Sequence, residues 1–181
     1  MRRRDYIAGF GSLGVLATGG VVATQGAGPI QDRLQRWFGP DVEPLEVETA
    51  DVRGSEPGTM QIPTLEGPMF LDFFGTWCPP CIEQMPALAA VHEQLGGEVT
   101  FVSITNEAVG ASITEEELAD WWIEHDGNWT VALDRNVELA ERYGLSGYPL
   151  AVAIDEYGVV QWSETGVKTE AELIDGIEQA L

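Results

Sequence analysis

Residues Phe73 to Pro86 read FFGTWCPPCIEQMP and hold both cysteines of the 181-residue chain, Cys78 and Cys81. Just upstream, MFLDFFGTW (69–77) is a nearly continuous apolar run broken by one acid, Asp72, and such a run suits a strand buried on both faces. Downstream, Ile82, Met85, Leu88, Ala89 and Leu95 form an apolar stripe, proline is tolerated at a helix start, and Gly96-Gly97 closes the pattern. The stretch therefore predicts a strand, a turn, and a helix from about Pro79 whose first turn carries the cysteine pair. Residues three apart there share a face, which brings the two sulfurs within disulfide reach.

A staple, a metal clamp and a redox couple all use paired cysteines. As a staple, so small a loop contributes only about 2 kcal/mol, against about 4.7 for a loop of 100 residues. A structural zinc site wants four ligands, and here a single CxxC is accompanied by His92 and His125, far apart and read as ordinary helix-surface or helix-end residues. The redox reading fits the helix start: its unpaired N–H groups and positive dipole end favour a Cys78 thiolate. Cys78 is then the attacking thiol and Cys81 the resolving one. Pro79 and Pro80 remove two N–H donors, leaving the Cys81 N–H as the main nearby donor. That predicts a moderately stabilised thiolate and no extreme oxidising potential.

The rest of the folded part alternates strands and helices. LEVETADV (45–52), VTFVSIT (99–105), NWTVALD (128–134) and PLAVAID (149–155) read as strands, and EYG (156–158) turns the last into VVQWSE (159–164). Thr114-x-x-Glu117 and Thr169-x-x-Glu172 are capping boxes. The first opens a helix with Leu118, Trp121 and Trp122; the second opens a final one with Leu173, Ile174, Ile177 and Leu181 on one face. NVELAERYG (136–144) is a short helix, and Pro86 is expected to kink the long one. The order indicates an α/β sandwich with a mixed central sheet.

Thirty acidic residues face nine basic ones, for a formal net charge of -21, and Lys168 is the one lysine. Such a surface repels nucleic acid and anionic lipid. This composition resembles that of proteins from salt-in halophilic archaea, in which salt screens the self-repulsion. The N-terminus begins with Arg2, Arg3 and Arg4, followed by a glycine-interrupted uncharged stretch to Gln31. Residues 1–27 read as an export signal of twin-arginine type or as an uncleaved anchor, and 28–44, with Pro29, Pro40 and Pro44, as a linker. The folded domain is assigned to 45–181.

Strand, WCPPC, helix, and a later GYP (147–149) before a strand together resemble the thioredoxin superfamily. FFGTWCPPCIEQMP and YGLSGYPLAVAIDEYGVV are similar to exported TlpA/ResA-type thiol–disulfide oxidoreductases. The resemblance implies a thioredoxin-like three-layer sandwich, a mixed sheet flanked by helices, with the residues 115–134 as a TlpA-type helix–strand insertion. It implies a cis Pro149 lining the groove over Cys78, with Trp77, Pro79, Pro80 and Tyr148 completing that surface. Trp77 either covers the surface or packs against it, and Tyr148 shapes partner choice. Leu150 follows the proline where the family often has threonine. Asp72, six residues before Cys78, is either a structural acid or the acceptor of the Cys81 proton. No metal or separate cofactor is implied beyond the Cys78–Cys81 disulfide. The implied setting is extracytoplasmic: a monomer, secreted or tethered by its N-terminus, exchanges electrons with protein thiols and disulfides. A CcdA/DsbD-like membrane protein is the implied donor, and cytochrome c or copper-site maturation the implied work. The alternatives are a DsbA-like oxidant and a non-catalytic thiol- or copper-binding module.

Overall fold

Strand β3 (Met69–Phe73) is buried along its whole length, as its apolar run requires. It lies near the middle of a seven-stranded mixed sheet in the order β2-β1-β5-β4-β3-β6-β7. The computed structural model describes residues 43–64 and 66–181; the predicted export signal and all but the last two residues of the linker fall outside them. The other strands are β1 (Leu45–Thr49), β2 (Gly58–Ile62), β4 (Thr100–Thr105), β5 (Thr130–Leu133), β6 (Leu150–Ile154) and β7 (Val160–Thr165). β3, β4 and β5 run parallel, while β1, β2, β6 and β7 pair antiparallel with their neighbours.

The helices are α1 (Pro79–Leu95), α2 (Glu115–Glu124), α3 (Glu138–Arg142) and α4 (Glu170–Ile177), the last followed by a 3-10 turn. Both predicted capping boxes form. Thr114 and Thr169 accept the N–H of Glu117 and Glu172, whose carboxylates bind back to the cap N–H. Each such cap is worth about 1 kcal/mol. The strand pleat divides the core in two. Phe70 and Phe74 of the β3 segment, Phe101 of β4 and Val131 of β5 meet Met85 and Leu88 of α1, Leu118 and Trp122 of α2, and Leu173 and Ile177 of α4. Leu71, Phe73, Val102, Ile104 and Val152 meet Leu139 and Ala140 of α3 on the other face. The expected three-layer sandwich results, with α2 and β5 forming the helix–strand unit and β5 placed between β4 and β1.

Four details differ from the sequence reading. β2, an edge strand paired with β1, carried no recognised pattern, because GTMQI is short and largely exposed. Ile82, placed on the buried stripe, is 37 % exposed, and Gln84 is buried instead; the real stripe runs through Cys81, Gln84, Met85, Leu88, Val91 and Leu95. Leu181 lies past the end of α4 and is exposed. His92 is no plain surface residue, since its ring packs on Phe101 and Trp129 at 5.2 and 5.1 Å. Its partial burial lowers its pKa. Pro86 lies inside α1 without ending it.

Candidate active site

The strand register sets the site. β3 and β4 are parallel, so the segments that follow them emerge at the same edge of the sheet. β6 is antiparallel to β3 with Phe73 opposite Leu150, so the residue before it, Pro149, reaches that edge too. There the Tyr148–Pro149 peptide is cis, as the resemblance implied, and so is Ile62–Pro63, which was not anticipated.

Cys78 caps α1, and Cys78 and Cys81 are joined in a disulfide with Cα atoms 5.3 Å apart. With Pro79 and Pro80 lacking N–H groups, the Cys81 N–H donates to Cys78 Sγ at 3.2 Å, the one local donor expected. Cys78 and Cys81 are only 3 % and 2 % exposed, whereas Pro79, Pro80 and Ile82 are exposed around them. Trp77 is 62 % exposed, which decides between its two readings in favour of a surface cover. Its indole meets Tyr148 edge-on, ring centroids 5.4 Å apart. A Cβ on Gly75 would stand 2.9 Å from that indole, so glycine there is what lets Trp77 fold back.

Asp72 shares its strand parity with Phe70 and Phe74, which puts its carboxyl on the sheet face covered by α1, the helix that carries Cys81. It is 2 % exposed. Oδ2 accepts from Ser103 Oγ at 3.3 Å, and Ser103 Oγ in turn accepts from Trp129 Nε1 at 2.9 Å; Oδ1 has no partner. Burial pushes the Asp72 pKa up to about 7, the Ser103 hydrogen bond only partly opposing it.

A Redoxin family model matches residues 54–181. The chain belongs to the Redoxin family. It is 29% identical over 116 residues to the thiol-disulfide oxidoreductase ResA of Halalkalibacterium halodurans, and the match spans 64% of each chain. Among solved structures, StoA from Bacillus subtilis superposes with a TM-score of 0.61 at 20% identity, covering 74% of this chain and 95% of that one. The exposed lipoprotein thioredoxin of Streptococcus pneumoniae gives 0.62 at 19%, covering 76% and 99%. These structural likenesses show that the fold is thioredoxin-like.

On this redoxin fold, two residues the sequence did not single out hold the site together. Glu107, just after β4, accepts the Thr76 N–H at 2.7 Å and the Thr76 hydroxyl at 2.9 Å. Its neighbour Asn106 accepts the Tyr148 hydroxyl at 2.7 Å. One short segment thus clamps both the cysteine loop and the cis-proline loop. A second brace runs beneath: the Lys168 N–H donates to Gln84 Oε1 at 2.6 Å, and the Gly166 N–H to the Pro149 carbonyl at 2.8 Å. Lys168, 8 % exposed, turns its ammonium onto the carbonyls of Thr165 and Gly166 at 2.9 and 3.1 Å. No local motif announces such contacts; a polar residue directly after a buried strand ending beside the cysteine loop is the one available signal. His125 caps α2, its Nδ1 2.7 Å from the Trp121 carbonyl. Among the described residues, no group of three or more His, Cys, Asp or Glu is placed to hold a metal ion.

Proposed function

We propose that this chain is an exported thiol–disulfide oxidoreductase that works as a reductant of protein disulfides. The observation that carries this reading is the Cys78–Cys81 disulfide on the first turn of α1, beside cis Pro149 and ringed by exposed Trp77, Pro79, Pro80 and Ile82. The exchange activity named for the ResA relative supports it.

In the reduced protein, the Cys78 thiolate attacks one sulfur of a partner disulfide. A mixed disulfide forms and one partner thiolate leaves. Cys81 then gives its proton to Asp72 and attacks Cys78 Sγ, releasing the second partner thiol. Two electrons pass to the partner and the Cys78–Cys81 bond re-forms. An acid titrating near neutrality suits the acceptor role, and the Asp72 pKa of about 7 meets that need. Pro149 and Tyr148 shape the docking surface over Cys78. A CcdA/DsbD-like membrane protein restores the dithiol, and apocytochrome c or copper-site thiols are the clients. The reducing direction rests on the single N–H donor to Cys78, which leaves its thiolate only moderately favoured.

The N-terminal arginines and apolar stretch support export, with tethering or release as the outcome of signal cleavage. Among the described residues no helix is long and apolar enough to cross a membrane.

Dithiothreitol-driven insulin reduction tests the activity: the native chain is expected to accelerate it and Cys78→Ser to abolish the effect. A binding module without turnover gives no acceleration. A reduction potential near or above roughly -120 mV, the strong-oxidant range, overturns the reducing direction.

A further inference from the structure

Beside the disulfide lies an open groove of about 680 Å³ whose walls include Trp77, Asn106, Glu107, Ile113, Glu117 and Trp121. Trp77 brings an indole that is mostly in solvent. The Trp121 ring is stacked against Phe74 and His125, with ring centroids at 5.2 and 4.4 Å, which holds it in place as a wall of the groove. Glu117 Oε2 accepts both the N–H and the hydroxyl of Thr114, which holds the side chain while Oε1 makes no hydrogen bond among the described residues. Those two bonds hold the Glu117 pKa below its ordinary value. Glu107 adds a second carboxylate, and its three hydrogen bonds from Thr76 and Thr105 leave acceptor capacity unused.

Among the described residues, no cation is paired with either carboxylate. No lysine or arginine occurs between Arg53 and Arg135, the span that supplies every wall of the groove. Arg135 reaches only the Val109 carbonyl and is paired with Glu48 at 2.7 Å. An exposed indole beside carboxylates is the chemistry that selects a guanidinium, which stacks on the ring and offers its edge N–H groups to carboxylate oxygens.

We propose that the groove between Trp77 and Trp121 is a client subsite that takes an arginine side chain close in sequence to the client's reacting cysteine. It rests on the exchange reading above, because the groove has this use only if a client bonds covalently to Cys78. The arrangement selects clients by the charge flanking their cysteines and leaves the exchange chemistry unchanged.

The test uses the reduced full chain and three short peptides, each with one cysteine in mixed disulfide with 5-thio-2-nitrobenzoate and with arginine, leucine or glutamate two or three residues away. The dithiol reduces the mixed disulfide, yielding the peptide thiol, the coloured thiolate and the Cys78–Cys81 disulfide. Rates are taken at the lowest salt that preserves the native circular dichroism. The arginine peptide is expected to react about tenfold faster than the glutamate peptide. Glu117→Gln keeps the capping box and is expected to cut that ratio to about threefold or less, with the leucine peptide unaffected. Glu93→Gln, the same charge change on a different helix, α1, is expected to leave the ratio unchanged. Equal rates for all three peptides overturn the subsite, as does an equal loss of preference in both variants, which assigns the effect to the whole acidic surface. Failure to reduce any peptide overturns the exchange reading, and the subsite with it.

Discussion

Asp72 is the residue at which stability and the proposed chemistry pull apart. Its carboxyl titrates near 3.8 in the open chain and at about 7 in the fold. Between those values the folded protein binds the extra proton. The contribution of Asp72 is therefore complete below pH 4 and is lost as pH rises through 7. The shift corresponds to about 4 kcal/mol. Asp72→Asn, neutral throughout, is expected to match the native chain in acid and to exceed it in stability by up to that amount above pH 8, read from denaturant midpoints across pH. The same variant is expected to flatten the rise in mixed-disulfide resolution rate around pH 7; an unchanged rate profile refutes proton transfer to Asp72. Gly75 acts by what it lacks. Gly75→Ala is expected to push the Trp77 indole off the cysteine loop, visible as a red-shifted tryptophan emission with little change in unfolding temperature.

At the level of elements, the segment after β4 couples two loops distant in sequence, through Thr76 on one side and Tyr148 on the other. Glu107→Gln keeps the size of the side chain but loses charge-assisted bonds, and is expected to cost about 1–2 kcal/mol. Calorimetry should register that as a drop of several degrees in unfolding temperature. Slower insulin reduction should accompany it if the clamp also positions Cys78. This coupling marks the boundary of what could be read in advance. The cysteine helix and both capping boxes were legible because each is written in adjacent residues, an apolar run or a Thr-x-x-Glu, whereas the cis Pro149 came only through the family resemblance that GYP carries. Asn106 and Glu107 were not legible, since their partners lie 42 and 31 residues away and nothing local distinguishes them from solvated polar residues. Ile82 misled for the opposite reason. Its helical spacing is that of a core residue, yet Cys81, Gln84 and Met85 take the buried face of that turn and leave Ile82 beside the disulfide in solvent.

Taken whole, the molecule carries a net charge of -21, and just three ion pairs join its described residues, all with at least one exposed partner. Exposed pairs of this kind contribute little, so self-repulsion stands largely unanswered in dilute buffer. Raising salt from 0.1 M, where the screening length is about 10 Å, to molar concentrations, where it is about 3 Å, is expected to raise the unfolding temperature markedly and to preserve activity. Indifference to salt would remove the case for a halophilic origin.

The burial of Lys168 has a practical side. The chain has no other lysine, and this ammonium is held against two carbonyls, so the described fold offers amine-directed cross-linkers no freely exposed ε-amino group. Such reagents are therefore expected to give no cross-link between a lysine of the described fold and a client of the proposed exchange. Carbodiimide coupling reverses the roles, because activated carboxylates on this acidic surface would then reach for the client's own lysines.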